Sequence, residues 1–282
     1  MYFKCKKYLI LTYIALSALS TNAQNGLEKI IVEKYYISEA SDTICNSVGG
    51  KLPIGSLTYR IYVDMLPGYK LHTIYGNKNH ELIIKTDTKF FNNAYVGNVI
   101  GNVIPRRNLK QNTVMLDSWL SVGAAGENLY GVLKQDDDTI ETILHDLPCL
   151  QSSNPLAGIP IKVKDGLRSG ETVPRPTFFK IDSIANILNT QIIGSSITTN
   201  NGAWGCLGGA IGPDSLTNRL LIAQLTTDGI LSFELNIQVG KPNSKPEKYV
   251  ARNPIDNEIQ LPSLIYSNQE TKIIHSKKNN SN

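Results

Sequence analysis

Three acidic residues fall inside strand-like segments, Asp64, Asp117 and Glu234, and a glycosidase needs two such carboxylates facing each other across a cleft. On a half-buried sheet a strand acid ordinarily points to water, so these are positions to inspect and no catalytic pair is assembled. The densest acidic cluster is Asp136-Asp137-Asp138, with Glu141 and Asp146 close by. Calcium takes about six to eight oxygen ligands in flexible geometry, so such a loop could hold it. The alternate-position spacing of an EF-hand is missing, however, and three acids in a row are expected to lie exposed on a solvated turn. The histidines, His72, His80, His145 and His275, form neither an i, i+4 pair nor an H-x-H pair. His145 and Cys149 would meet on a helix as a thiolate and an imidazole, but Pro148 between them makes two loop residues the better reading. No serine sits in a G-x-S-x-G elbow. Trp119, in LDSWLSVG, and Trp204, in NGAWGCLGG, could stack on a sugar ring if exposed with Tyr62 or Tyr130. The competing reading places both tryptophans in a core, more firmly for Trp119.

The elements that must position these groups are strands. Leu57, Tyr59, Ile61, Val63 and Met65 alternate with Thr58, Arg60, Tyr62 and Asp64, a pattern that predicts one buried and one wet face. Pro67-Gly68 suits the centre of a type II turn, and Tyr69 to Tyr75 follows as a strand. Near the end, Asn218 to Thr227 and Ile230 to Val239 flank Asp228-Gly229, a dipeptide that predicts a hairpin with a type I′ turn and positive φ at Gly229. That register puts Leu231, Phe233, Leu235, Ile237 and Val239 in the core and Glu234 on the wet face. Further strands are expected over 27–37, 82–88, 113–122 and 258–266. One short helix is expected over 182–191, capped by Asp182, with Ile184, Ile187 and Leu188 on one face. Between Gly123 and Thr177 the periodicity fades into Gly, Pro, Asp and Ser, an excursion between two halves of one sheet system.

Lys4, Lys6 and Lys7, an uncharged run from Tyr8 to Leu19 and Ser20-Thr21-Asn22-Ala23 have the three-part layout of an export signal. The run is about 12 residues, short of the roughly 20 that cross a bilayer, so cleavage before Gln24 and no retained membrane span are expected. Loss of three lysines with the leader takes the 28 basic residues to 25, against 24 acidic ones. A near-neutral chain gives no electrostatic case for nucleic acid or an anionic membrane surface. Cys45, Cys149 and Cys206 remain, at spacings that suggest neither a zinc site nor a disulfide scaffold. If one pair forms, Cys149 and Cys206 are the candidates, both lying in the central, loop-rich stretch; three separate thiols are the favoured reading.

The strings TYRIYVDM, IYGNKNHELIIKTDTKFFNN, LDSWLSVG, NGAW and NRLLIAQLTTDGILSFELNIQV together resemble a β-sandwich module of exported proteins from environmental and gliding bacteria, over most of the chain from Gly26 to Tyr266. The resemblance implies export and carries no assigned activity. The expected architecture is an all-β, mostly antiparallel sandwich of one domain over 24–266. Jelly-roll-like connectivity is compatible with the pattern, the first and last strands are expected in one sheet system, and a disordered polar tail is expected over 267–282. The expected function is a secreted or cell-surface, non-enzymatic protein that binds a glycan or a protein partner, with no cofactor unless calcium. A secreted carboxylate-dependent polysaccharide hydrolase and a structural envelope or matrix component are the alternatives.

Overall fold

The computed structural model describes residues 25–45, 52–111, 113–138, 140, 142–143, 149–152, 154–190, 192–242 and 244–269. The leader, His145, His275 and the tail beyond residue 269 lie outside the described residues. The protein is an all-β sandwich of mostly antiparallel sheets. The first sheet runs in the order β1 (Leu27–Ile37), β2 (Leu57–Met65), β12 (Arg219–Thr227), β5 (Trp119–Leu120). The second runs β10 (Ser196–Thr199), β4 (Leu82–Thr86), β13 (Leu231–Glu234), β17 (Ile265–Ser267). The third runs β16 (Ile259–Gln260), β15 (Glu247–Val250), β14 (Ile237–Gly240), β3 (Lys70–Gly76), β11 (Gly202–Ala210), β9 (Thr177–Phe179). A small sheet of β6 (Ala124–Gly126), β7 (Leu129–Gly131) and β8 (Leu167–Ser169) lies within the central excursion.

Two hydrophobic cores share the first sheet. Tyr59, Ile61, Val63, Leu220, Ile222 and Leu225 meet Leu71, Ile74, Trp204 and Ile237 of the third sheet and Ile84, Ile197 and Phe233 of the second. On the opposite face Tyr35, Tyr62, Trp119 and Leu221 pack under Phe91, Leu109 and Leu116 of the segment before β5 and Leu133, Leu150 and Leu167 of the excursion. Each large aliphatic side chain sealed this way contributes about 1.5–3 kcal/mol. The first sheet is therefore covered on both sides, which corrects the expectation of a wet face on β2. Thr58, Arg60, Tyr62 and Asp64 are all buried. The near-continuous apolar run of β12 matches this two-sided burial, which antiparallel sheets seldom require.

The predicted hairpin does not form. β12 pairs with β2 and β5, whereas β13 pairs with β4 and β17, so Asp228-Gly229 carries the chain from one layer of the sandwich to the other. Gly229 does not take a positive φ, because a crossing between sheets has no in-plane reversal to close. The predicted facing does hold: Leu231, Phe233, Leu235, Ile237 and Val239 are buried, and Glu234 is partly exposed. At Pro67-Gly68, φ is +84° at Gly68 and the Tyr69 amide donates to the Leu66 carbonyl at 3.1 Å, as a type II turn requires. This turn too joins strands of different sheets.

Other expectations shift in detail. The helix over 182–191 shrinks to α3 (Asp182–Ala185) and a 3-10 turn, Asn186–Leu188. Ile181 occupies the capping position, and no side chain caps it. Leu188 is buried, and Ile184 and Ile187 pack beside it as expected. Two further short helices, α1 (Ala40–Cys45) and α2 (Arg106–Leu109), join it. Where single strands were expected over 113–122 and 258–266, short strands are interrupted by 3-10 turns at Val114–Leu116 and Pro262–Leu264. The first and last strands edge different sheets. Ser267 belongs to β17, and buried Asn268 donates to the Tyr59 hydroxyl at 2.6 Å, so order runs past the expected start of the tail.

Candidate functional site

The residue types singled out for chemistry are mostly locked inside the fold. Trp119, Trp204 and Tyr62 are each under 2 % exposed and cannot stack on a sugar. The Trp204 indole donates to the Ser121 carbonyl at 3.2 Å. Tyr130 alone is partly exposed, and its hydroxyl donates to the Thr172 carbonyl at 3.1 Å. The acidic run divides in three directions. Asp136 pairs with Arg219 at 2.8 Å, buried Asp137 accepts the Gly166 amide at 2.7 Å, and only Asp138 is exposed. The expected solvated turn is thus corrected for Asp136, whose carboxylate anchors the excursion to β12, and for Asp137, whose carboxylate binds within the excursion itself. No group of three or more His, Cys, Asp or Glu converges on a metal position among the described residues. Cys149 is disulfide-bonded and Cys206 is a free thiol, so the candidate pairing of Cys149 with Cys206 is not formed.

The strand acids sit apart in separate roles. Asp64 lies against Arg219 at 3.5 Å and Lys29 at 3.8 Å. Glu234 pairs with Arg252 at 3.0 Å on the outer face of β13. Asp117 is fully buried, accepting the Asn93 amide at 2.7 Å and the Asn98 amide at 2.9 Å. Burial raises its carboxyl well above the usual range, against the pull of those amides. His80, weighed in the sequence only for metal-ligand spacing, is buried, and its Nε2 lies 2.6 Å from Glu258, a pairing that ties the corner after β3 to the segment before β16 and that no sequence spacing signalled.

Asp117 also holds the Asn93 turn beside a pocket whose lining takes one residue from each core, Phe90 and Phe91. From Asn93 the chain turns, Asn93 Oδ1 accepting the amides of Tyr95 and Val96 at 3.1 and 3.2 Å. Before it, Phe90 enters the first core and Phe91 the second. The Phe90 amide donates to the Gly194 carbonyl at 2.9 Å and the Phe91 amide to the Thr226 carbonyl at 2.8 Å. Asn92 Nδ2 clamps the carbonyls of Ile187 at 2.6 Å and Ile192 at 3.0 Å. A threonine cluster fixes the Thr227-Asp228 wall: Thr227 Oγ1 lies 2.8 Å from Thr86 and 3.0 Å from Thr88, and Thr88 donates to Asp228 at 2.7 Å.

The result is a cavity of ≈ 210 Å³ walled by Pro53, Phe90, Phe91, Ala94, Ile192 and Ile193, with Ser56, Lys89, Asn92 and Asp228 also facing it. Ile193 on the wall is 75 % exposed, and Ile54 and Tyr95, next in sequence to the lining residues Pro53 and Ala94, are each 66 % exposed. Asn92 Oδ1 is buried with no hydrogen-bond partner among the described residues. A concave apolar wall with a few polar groups is what small ligands and inserted side chains require. An acid–base or nucleophile–base pair is not assembled in this lining. The sequence signal for the site is the adjacent pair Phe90-Phe91, which breaks period-two alternation and marks a segment that must serve two cores. No protein-family model matches the chain, and neither does any curated protein or any solved structure.

Proposed function

We propose that the chain is an exported, non-enzymatic protein that binds a protein partner, which inserts an apolar side chain between Phe90, Phe91 and Ile193. The observation that carries this reading is the exposure of Ile192 and Ile193 on the wall of an apolar cavity. Protein interfaces centre on such anchors, buried in a pocket and rimmed by polar groups. Burial of both tryptophans and Tyr62 takes away the aromatic platform on which a glycan reading rested. The separate partners of Asp64, Asp117 and Glu234 give a carboxylate-dependent hydrolase no support. Export rests on the leader.

Ala94 is partly exposed on the pocket wall, so Ala94→Trp fills the cavity from its own side. With the chain from Gln24 onward immobilised and exposed to surface proteins of the producing cells, the variant should retain at least about tenfold less partner, a loss of roughly 1.4 kcal/mol or more. Its thermal unfolding should stay close to that of the wild type. Equal retention, or binding that a glycan array reproduces and Ala94→Trp leaves intact, defeats the reading.

A further inference from the structure

We infer that the side chain this pocket takes is a tryptophan of the partner, whose indole N–H donates to the side-chain oxygen of Asn92. This inference rests on the reading above and names the anchor. Asn92 lines the cavity, and its amide has one allowed orientation. Both hydrogens of Nδ2 are committed, to the Ile187 carbonyl at 2.6 Å and the Ile192 carbonyl at 3.0 Å, so the other end of the amide is the oxygen. That Oδ1 is buried with no hydrogen-bond partner among the described residues. A buried acceptor left without a donor carries its full desolvation penalty, so a ligand that brings a donor there gains over one that does not.

The other polar groups of the lining are engaged or wet. Ser56 Oγ donates to the Pro53 carbonyl at 2.7 Å, and Thr227 Oγ1 sits within the threonine cluster. Asp228 is exposed and accepts the Thr88 hydroxyl, and Lys89 is exposed to water. The remaining wall, chiefly Pro53, Phe90, Phe91, Ile192 and Ile193, is apolar, and its ≈ 210 Å³ is far above the roughly 10–15 Å³ that admits one water. The occupant these groups select is large, flat and apolar, with a single donor. Leucine or phenylalanine would seal the Asn92 oxygen unpaired. A tyrosine hydroxyl brings a further oxygen into a lining whose hydroxyl and amide hydrogens are already bonded to protein, and an arginine must strip water from a charge against an apolar wall. Tryptophan buries a large apolar ring and donates without accepting.

The test titrates the chain from Gln24 onward with N-acetyl-tryptophanamide and with its benzothiophene analogue, which keeps the shape and lacks the N–H. Binding is followed through the backbone amide signals of Ala94 and Ile193 in NMR spectra. The indole should bind at least about tenfold more tightly, and Ala94→Trp should abolish binding of both rings. Binding that survives Ala94→Trp lies elsewhere and overturns the inference. Asp228→Asn should leave the margin standing; its loss there assigns the acceptor to Asp228 and overturns the role of Asn92. Equal binding of the two rings, removed by Ala94→Trp, overturns the inference while the pocket reading stands. Absence of binding by either ring overturns it as well, and the pocket reading is then decided by partner retention in Ala94→Trp. Tighter binding of free tryptophan than of the blocked amide assigns the pocket to a small molecule, which overturns a protein side chain as its occupant.

Discussion

Arg60 lies over the Tyr35 ring at 3.6 Å, donating from Nε to Gln224 at 2.9 Å and from Nη1 to the Gly166 carbonyl at 2.8 Å, with its side chain sealed from water. Lys134 is buried beside it, bonded to the carbonyls of Tyr35 and Ala157, and desolvation brings its ammonium down to about 8. These cations hold the excursion to the first sheet, and the Asp165 carboxylate braces the excursion from within, accepting the Ile143 amide at 2.7 Å and the Leu167 amide at 3.1 Å. Burial pushes the Asp165 carboxyl from 3.8 up to about 6. The folded chain thus holds this proton more tightly than the unfolded chain. The stabilisation is complete below the unfolded value and is lost as pH rises through about 6. Urea titrations of the wild type should therefore show a fall in stability between about pH 4 and pH 6 that Asp165→Asn removes; parallel pH profiles would show that Asp165 does not titrate in this window. Gly229 makes a second residue-scale case. A Cβ there would lie 2.3 Å from Asp87 Oδ1 and 2.4 Å from the hydroxyls of Thr86 and Thr88. Gly229→Val should cost more than the roughly 1 kcal/mol typical of a point mutation, and Glu234→Gln less than about 0.5 kcal/mol. Equal losses in chemical denaturation would contradict the packing at this crossing.

At the scale of elements, β1, β2 and β12 were legible because alternation and β-branched runs are local properties of the chain. Which strands pair was not, since Asp228-Gly229 and Pro67-Gly68 look like hairpin turns whether the next strand returns beside its neighbour or crosses to the other layer. The buried second face of β2 was hidden for a related reason. Thr58, Arg60, Tyr62 and Asp64 are polar enough to face water, and three of them are satisfied only through long-range pairing, by Thr226, Gln224 and Arg219 of β12 and by Gly166 of the weakly periodic excursion. β11 shows another limit. Between the pairs Gly205 with Thr73 and Ala210 with Leu71 the register breaks, and Gly208 and Gly209 take φ of +81° and +77°. The bulge carries Leu207, 87 % exposed, and the free thiol Cys206, whose pKa burial raises. Without reductant, a maleimide should label Cys206, faster as pH rises, and should label Cys149 only after reduction. Labelling of Cys149 in the unreduced protein would contradict the bonding pattern.

At the scale of the molecule, the first sheet acts as a central wall, with the sandwich on one side and the excursion on the other. Phe90-Phe91 crosses the seam between those cores, and the pocket opens there because neither core closes over Ala94 and Ile193. The sequence contained the aromatic pair but no spacing that marked it as a site, since the walls come from segments around Pro53, Phe90, Ile192 and Thr227. The most direct test places a photo-crosslinking residue at Ile193, and a control at exposed Lys248 on β15 of the third sheet, in the chain from Gln24 onward presented to intact producing cells. The account predicts one discrete protein adduct from position 193, absent from position 248 and lost when Ala94→Trp is introduced. Identical adducts from both positions, or none from position 193, would contradict it.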